Sequence, residues 1–282
     1  MEHYEKIRVV GRGSHGLVTL HRQKQHNKLV IVKEVAVDHL NEDEKKATLN
    51  EVRVLSKLKH PNVVAYFDNF VQDASVKIVM EYANKGSLHD LIQVQDGKLI
   101  QQDEILQMFT QIVEGLYYIH SQKVLHRDLK THNIFVSHEP SVYSMPILKI
   151  GDFGISKVLT SQSKASTVLG TPSYLSPELC QGQMYDERSD IWALGCILYE
   201  MLTLKKAFEA PTLASLVMKI IHGQVTPIDR TKYSAGMEQL LHTLLRISPL
   251  DRPTAAMLLS HPLICTTLCK VGTSLGKIIQ NT

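Results

Sequence analysis

The stretch LHRDLKTHNIF, Leu125 to Phe135, decides how this sequence is to be read. Two histidines, two cations, an aspartate and an asparagine stand between apolar anchors, Val124 and Leu125 on one side and Ile134, Phe135 and Val136 on the other. A core strand would not carry such groups, because burying them without partners is costly. A polar loop clamped at both ends by packed residues is how a catalytic loop is built.

Working outward, 282 residues with 44% apolar content can bury a large core and allow one domain with two lobes. The formal charge of +3 is spread along the chain without runs of Lys and Arg. Neither a nucleic-acid arm nor a polybasic membrane patch is therefore expected. Cys180, Cys196, Cys265 and Cys269 show no pairing pattern, as in a reducing compartment. His261, Cys265 and Cys269 recur at helical spacing but lack a fourth ligand nearby, so an ordinary helix face is expected there instead of zinc. The opening MEHYEKIRVVG carries charges where a secretory signal needs an apolar core, and the apolar run near Trp192 to Tyr199 is too short to span a membrane. The expectation is a soluble cytoplasmic protein with no membrane insertion.

The stretches EKIRVVG, LVTLHR and LVIVKEV cluster β-branched residues around glycine turns and read as three antiparallel strands. Asn41 and Glu44 resemble a helix-capping pair, and Leu49, Val52, Leu55 and Leu58 follow at helical spacing. VVAYFDNF and VKIVMEYA add two more strands. Beyond Gly86 the pattern turns helical, with Ile105, Phe109, Ile112, Leu116 and Ile119 on one face and similar faces at Ile191 to Leu202 and Met237 to Leu245. The fold class is α+β: a small antiparallel lobe with one helix over about 1–80, a connector at 81–86 and a larger helical lobe over 87–264. A cleft between two such lobes is where pockets usually occur. Residues 265–282 lack strong periodicity and read as a short tail or the start of something truncated.

Between the first two strands, Gly11, Gly13 and Gly16 are spaced G-x-G-x-x-G with Val18 two residues on. A strand, not a helix, follows them, so they suit a hairpin whose backbone covers phosphates better than a dinucleotide fingerprint. Lys33 interrupts an apolar strand, and Glu51 on the following helix could hold it toward the α- and β-phosphates of a nucleotide. Asp128 precedes Asn133 by five residues, and IGDFG places Asp152 nineteen beyond Asn133. Phosphoryl transfer needs a metal to neutralise phosphate charge, a carboxylate to orient the attacking hydroxyl and a cation near the γ-phosphate. Asn133 and Asp152 suit Mg²⁺, Asp128 the hydroxyl and Lys130 the phosphate.

This ordered set resembles the eukaryotic protein kinase family from residue 4 to about 264. The resemblance continues in GTPSYLSPE, where Pro177 and Glu178 match A-P-E with Ser176 for Ala, in DIWALG at Asp190 to Gly195, and in DRPT at Arg252. It implies a two-lobed kinase domain over 1–264 using ATP and Mg²⁺ on protein serine or threonine, and a Glu178–Arg252 ion pair. Nucleotide contacts are implied at Gly11, Arg12, Gly13, Gly16, Val18 and Lys33, at the hinge from Glu81 to Ala83, and at Met80 as gatekeeper. Lys130 two residues after Asp128 is similar to the serine/threonine form, and by analogy Thr171 bridges Asp128 and Lys130 as part of the substrate platform. His132 stands where kinases favouring basic substrates carry a glutamate, so no demand for arginine is expected from it.

KTHNIF, GTPSYLSPELCQG and the opening MEHYEKIRVVGRG resemble the NIMA-related branch, closest to members with a chromosome-condensation-regulator type propeller that has no counterpart in these residues. The branch resemblance implies activation by phosphate on Thr167, with Ser166 as rival and Arg127 as its partner, delivered by an activating kinase or by self-association. It also implies Tyr66 as a brake on the helix carrying Glu51, and a location at cilia, centrosomes or other microtubule structures. His15 at the glycine-loop tip, the long segment between Asn133 and Asp152, and Ser176 depart from the branch pattern without removing a catalytic group. A catalytically inactive scaffold binding ATP or a protein partner is the alternative, and it conflicts with the presence of Lys33, Glu51, Asp128, Asn133 and Asp152 together. A GTPase would need G-x-x-x-x-G-K-[ST], which is absent.

Overall fold

Alternating β-branched residues favour a pleated, half-buried surface, and the first third of the chain forms one. The computed structural model describes residues 3–13, 16–37, 50, 52–72, 75–138, 145–153 and 172–279, with backbone alone at 12, 13 and 272–279. Strands β1 (Tyr4–Gly13), β2 (Gly16–Gln23), β3 (Lys28–Ala36), β4 (Tyr66–Gln72) and β5 (Ser75–Glu81) form an antiparallel sheet in the order β1-β2-β3-β5-β4. Interior β5, paired on both edges, is buried from Ser75 to Met80. Val30, Val32 and Val79 make a core on this sheet, with Tyr4 and Phe70 packed against it. Residues 52–55 are helical and bury Val52 and Leu55, with Leu58 buried just beyond. The expected capping pair, Asn41 and Glu44, lies outside the described residues.

This compact unit runs to Asn84, and a second begins at Lys85. There α1 (Leu88–Gln93) opens on a capping box in which Ser87 and Asp90 satisfy each other's backbone N–H groups. Helix α2 (Gln102–Ser121) buries completely the face predicted at Ile105, Phe109, Ile112, Leu116 and Ile119. After the catalytic stretch come β6 (Ile134–Ser137) and β7 (Ile147–Ile150), a two-stranded antiparallel sheet. Then follow α3 (Pro177–Cys180), α4 (Glu187–Thr203), α5 (Leu213–His222), α6 (Ala235–Leu244), α7 (Ala255–Leu259) and α8 (Pro262–Ile279). Helix α4 is buried from Ser189 to Leu202, which explains why its sequence is apolar on every side.

Two expectations are corrected here. The segment from residue 265, read as lacking strong periodicity, is helical as far as it is described, since α8 continues to Ile279. Its Ile264, Thr267 and Val271 are buried at helical spacing, and Val271 packs on Ile147 and Met145. The pattern is hard to see because Thr and Cys occupy positions where Leu would announce a helix face. The apolar stretch from Pro249 to Val271 is also longer than the run near Trp192 against which a membrane span was judged. It is divided between a 3-10 turn, α7 and α8, and contains the buried, ion-paired Arg252.

Candidate active site

The backbone before Asp128 is held by a carboxylate 63 and 64 residues downstream of the amides it binds. Asp190, in the first turn of α4 and fully buried, accepts backbone N–H groups from His126 at 3.0 Å and Arg127 at 3.2 Å. Its carboxylate also receives His120 Nε2–H at 2.8 Å and the Tyr185 hydroxyl. Burial alone would raise this carboxyl, but the donors from His120 and Tyr185 and the nearby imidazoles hold it below the ordinary aspartate value. It is therefore an ionised anchor, and it fixes Arg127 in the left-handed region at φ 67°. Non-glycine residues rarely adopt that conformation unless their surroundings impose it.

His126 turns this anchor into a link. Its ring is buried, and Nε2 lies 3.0 Å from the Gly151 carbonyl, so Nε2 carries the proton and Nδ1 accepts the Asp128 N–H at 3.3 Å. Burial pushes its pKa below the usual histidine value, which keeps the ring in this neutral form. Phe153 lies against it, with ring centroids 4.8 Å apart. Asp128 is thus tied to the residue just before Asp152.

The β6–β7 register closes the nineteen-residue gap. Ile134 pairs with Ile150, so Asn133 and Gly151 sit at the same end of the small sheet, and Gly151 N–H reaches the Asn133 carbonyl at 2.9 Å. Asn133, buried in a 3-10 turn over Thr131–Asn133, donates its amide N–H to the Asp128 carbonyl at 2.8 Å, to Asp128 Oδ2 at 3.0 Å and, more distantly, to the Asp152 carbonyl at 3.4 Å. Lys130 Nζ meets Asp128 Oδ2 at 2.8 Å. Asp152 is left-handed at φ 54°, a second such residue at the site. Below the loop, Glu200 accepts the Tyr174 hydroxyl and, at 3.2 Å, that of Thr131. Asp128, Lys130, Asn133 and Asp152 are therefore brought together within the second unit.

In the first unit the glycine motif lies on the β1–β2 hairpin, with Gly11 opposite Val18 and Gly13 opposite Gly16. Its glycines serve different purposes. A methyl group at Gly11 would meet open space, whereas at Gly16, where φ is 133°, it would come within 1.7 Å of the Glu34 carbonyl oxygen on β3. Gly16 is required by the close approach of two strands. Lys33 on β3 lies between Val18 of β2 and Ile78 of β5. Met80 is buried at the end of β5 opposite Tyr66, itself buried. Glu81 exchanges backbone and side-chain hydrogen bonds with Ala65, and Ala83 is half-buried beyond it. Only the backbone of Arg12 is described, and His15, Glu51, Ser166, Thr167 and Thr171 lie outside the described residues.

The Glu178–Arg252 pair is present and buried, with two contacts at 2.8 Å. Among the described residues no cluster of His, Cys, Asp or Glu could hold a metal, and Cys265 and Cys269 are exposed. Sequence reasoning missed the roles of Asp190 and Glu200, although these acids bracket the apolar run from Ile191 to Tyr199 in α4, a signal that buried partners exist. It also missed His89, which stacks on His132 with ring centroids 3.8 Å apart.

Comparisons with known proteins give the family of the chain. The family model described as "Protein kinase domain" matches residues 4–264. The chain is 46% identical over 278 residues to the serine/threonine-protein kinase Nek8 of Danio rerio, covering 99% of this chain and 39% of that protein. It is 42% identical over 266 residues to Nek9 of Mus musculus, covering 94% of this chain and 26% of that protein. With the serine/threonine-protein kinase nekl-2 of Caenorhabditis elegans it shares 40% identity, over 99% of this chain and 79% of that protein. The chain thus spans two fifths or less of the length of several relatives it matches. From the catalytic loop held by Asp190 to the Glu178–Arg252 pair and these similarities over 94% or more of its own length, the chain belongs to the protein kinase family, in its Nek, or NIMA-related, serine/threonine branch.

Proposed function

We propose that the chain catalyses ATP-dependent phosphorylation of serine and threonine on protein substrates. The observation that carries this is the convergence of Asp128, Lys130, Asn133 and Asp152 through the hydrogen bonds of Asn133 and the β6–β7 register. Asp128, in contact with Lys130, orients the acceptor hydroxyl and takes up its proton, while the lysine side chain faces the transferred phosphoryl group. The Asn133 amide oxygen and the Asp152 carboxylate are hard oxygen donors and suit Mg²⁺, which when bound supplies positive charge to the phosphates. Lys33, paired with Glu51, contacts the α- and β-phosphates, the backbone of Gly11 to Gly16 covers them with Val18 above the base, and Glu81 to Ala83 receive the base beside Met80.

Regulation follows in the same reading. Phosphate on Thr167 brings about −1.5 to −2 charges toward Arg127, whose backbone is already tied to the catalytic loop, and an activating kinase or a second copy of the chain delivers it. Tyr66 restrains the helix carrying Glu51. The place of action is intracellular, at a cilium, centrosome or other microtubule structure, which imaging of the tagged full-length product tests.

The deciding assay follows γ-phosphate transfer to a generic protein substrate. Asp152→Asn is preferred to alanine because asparagine tolerates the left-handed backbone at this position. Asp152→Asn and Lys33→Met should each lower kcat about a hundredfold or more without loss of fold. Near-normal turnover in either variant would reject the assignment. An ATP-dependent thermal shift without any transfer by the parent chain would favour the scaffold. Phosphosite mapping with Thr167→Ala, Ser166→Ala and Arg127→Ala tests the activation step.

A further inference from the structure

Gln111 is an amide fully buried in the middle of α2, flanked by Thr110 and Ile112, which are fully buried as well. Burying an amide is unfavourable unless both its ends are bonded. Both are, and to one strand region: Oε1 accepts the Leu148 N–H at 3.0 Å, and Nε2 donates to the Pro146 carbonyl at 3.1 Å. Nε2 also lies 3.5 Å from the Gln107 carbonyl, one turn back in α2. A strand turns the N–H and C=O groups of successive residues to alternate sides. Gly151 donates to the Asn133 carbonyl on the β6 side, so Leu148, at odd separation from it, faces away from β6. The Gln111 amide therefore does for the outer edge of β7 what a third strand would do.

The consequence reaches both halves of the site. A two-stranded sheet is marginal by itself, and Asp152 stands two residues past the end of β7. The same helix serves the other carboxylate. His120, nine residues on in α2, donates to Asp190, which holds the His126 and Arg127 amides just before Asp128. Nine residues of helix span about 13.5 Å. We propose that Gln111 is a positioning residue for phosphoryl transfer, which seats the strand leading to Asp152 on α2, so that one rigid helix sets the spacing of Asp152 and Asp128. This rests on the kinase reading of the preceding section.

The residue type matters. One planar group must offer an acceptor and a donor to an N–H and a C=O two residues apart, and an amide does so. Methionine would fill similar space but leave the Leu148 N–H and the Pro146 carbonyl without this partner. An ionised glutamate would set an oxygen against the Pro146 carbonyl. Thr110, one residue earlier and equally buried, has a hydroxyl with no hydrogen bond. Burial in α2 alone thus does not bring a polar group to the β7 edge; the direction and length of the Gln111 side chain do.

The test compares Gln111→Met with Leu244→Ala, which removes fully buried packing on a different element, α6. If Gln111 contributed stability alone, the two variants would behave alike at equal loss of Tm. As a positioning residue, Gln111 has a signature of its own. In Gln111→Met, ATP binding in EDTA should stay at the parent value, while the Mg²⁺ concentration that half-maximally tightens ATP binding rises at least about fivefold. For a peptide substrate kcat should fall about tenfold or more with KM unchanged. Thr110→Val should leave all of these at the parent values. Hydrogen exchange reads the same hold without activity. In the parent, the Leu148 and Gly151 amides should be protected to within about threefold of each other, and in Gln111→Met both should exchange at least about tenfold faster relative to the α4 amides. Gln111→Asn, whose amide is one methylene short, should show the same changes and serves if the methionine variant does not fold. A Mg²⁺ response in Gln111→Met equal to that of Leu244→Ala, or a Leu148 amide exchanging about tenfold or more faster than Gly151 in the parent, would overturn the proposal. Phosphate transfer by the parent separates the two readings. Transfer with an unchanged Mg²⁺ response in the variant rejects the positioning role alone, and lost Gly151 protection in the variant without transfer by the parent rejects the kinase reading while the hold of Gln111 on β7 stands.

Discussion

Asp190 shows how much a single buried acid determines. It holds the His126 and Arg127 amides, so the left-handed turn at Arg127 and the placing of Asp128 both depend on it. Asp190→Ala would leave two backbone N–H groups, His120 and Tyr185 without their acceptor. The expected cost is about 3–5 kcal/mol, measured by urea unfolding, together with a fall in kcat in whatever folded protein remains. Asp190→Asn keeps an acceptor for one or two of these donors and should fall between. Equal stability of the alanine variant and the parent would contradict the anchoring role. The sequence marks Asp190 as the start of DIWALG, at the edge of an apolar run, but not what it binds, because the donors it serves lie on three other segments.

At the scale of elements, β6 and β7 convert a nineteen-residue separation into contact, and α8 completes the packing behind them. Val271 is fully buried against Ile147 of β7, whose strand ends beside Asp152. Val271→Ala should cost about 2 kcal/mol, seen as a lower Tm, because two buried methyl groups are lost and their place is not refilled. Removing residues 265–282 should destabilise the protein more than this substitution does. A truncated chain with unchanged Tm would restore the reading of this segment as a tail. That reading arose because a helix face of Ile, Thr and Val with exposed cysteines between them carries a weak hydrophobic signal, and only its packing on β7 reveals it.

At the scale of the whole molecule, Glu178 and Arg252 join distant parts of the second unit. Besides its two contacts to Glu178, Arg252 donates to the carbonyls of Arg188, Arg246 and Ile247, so every guanidinium N–H is used. Arg252→Leu should cost about 3–5 kcal/mol, mostly by stranding a buried carboxylate. Burial would raise the Glu178 pKa, but the hydrogen bonds from Arg252 and Ser189 outweigh it and hold the value below that of an ordinary glutamate. A lowered folded pKa means that the pair's stability is complete above the ordinary glutamate range and is lost as pH falls through the folded value. Acid unfolding followed by circular dichroism should show this contribution in the parent and not in Arg252→Leu. The sequence by itself determined the five strands of the first unit, the apolar faces of α2, α4 and α6, and the residue types that phosphoryl transfer needs, because periodicity and motif spacing are local properties of a chain. Only the tertiary structure decided that Asp128, Asn133 and Asp152 meet, that Asp190 holds the loop, that Gly16 is needed by β3, and that His89 lies on His132. Each of these depends on the register or burial of residues far apart in sequence, and local patterns carry no record of which distant partner will satisfy a buried polar group.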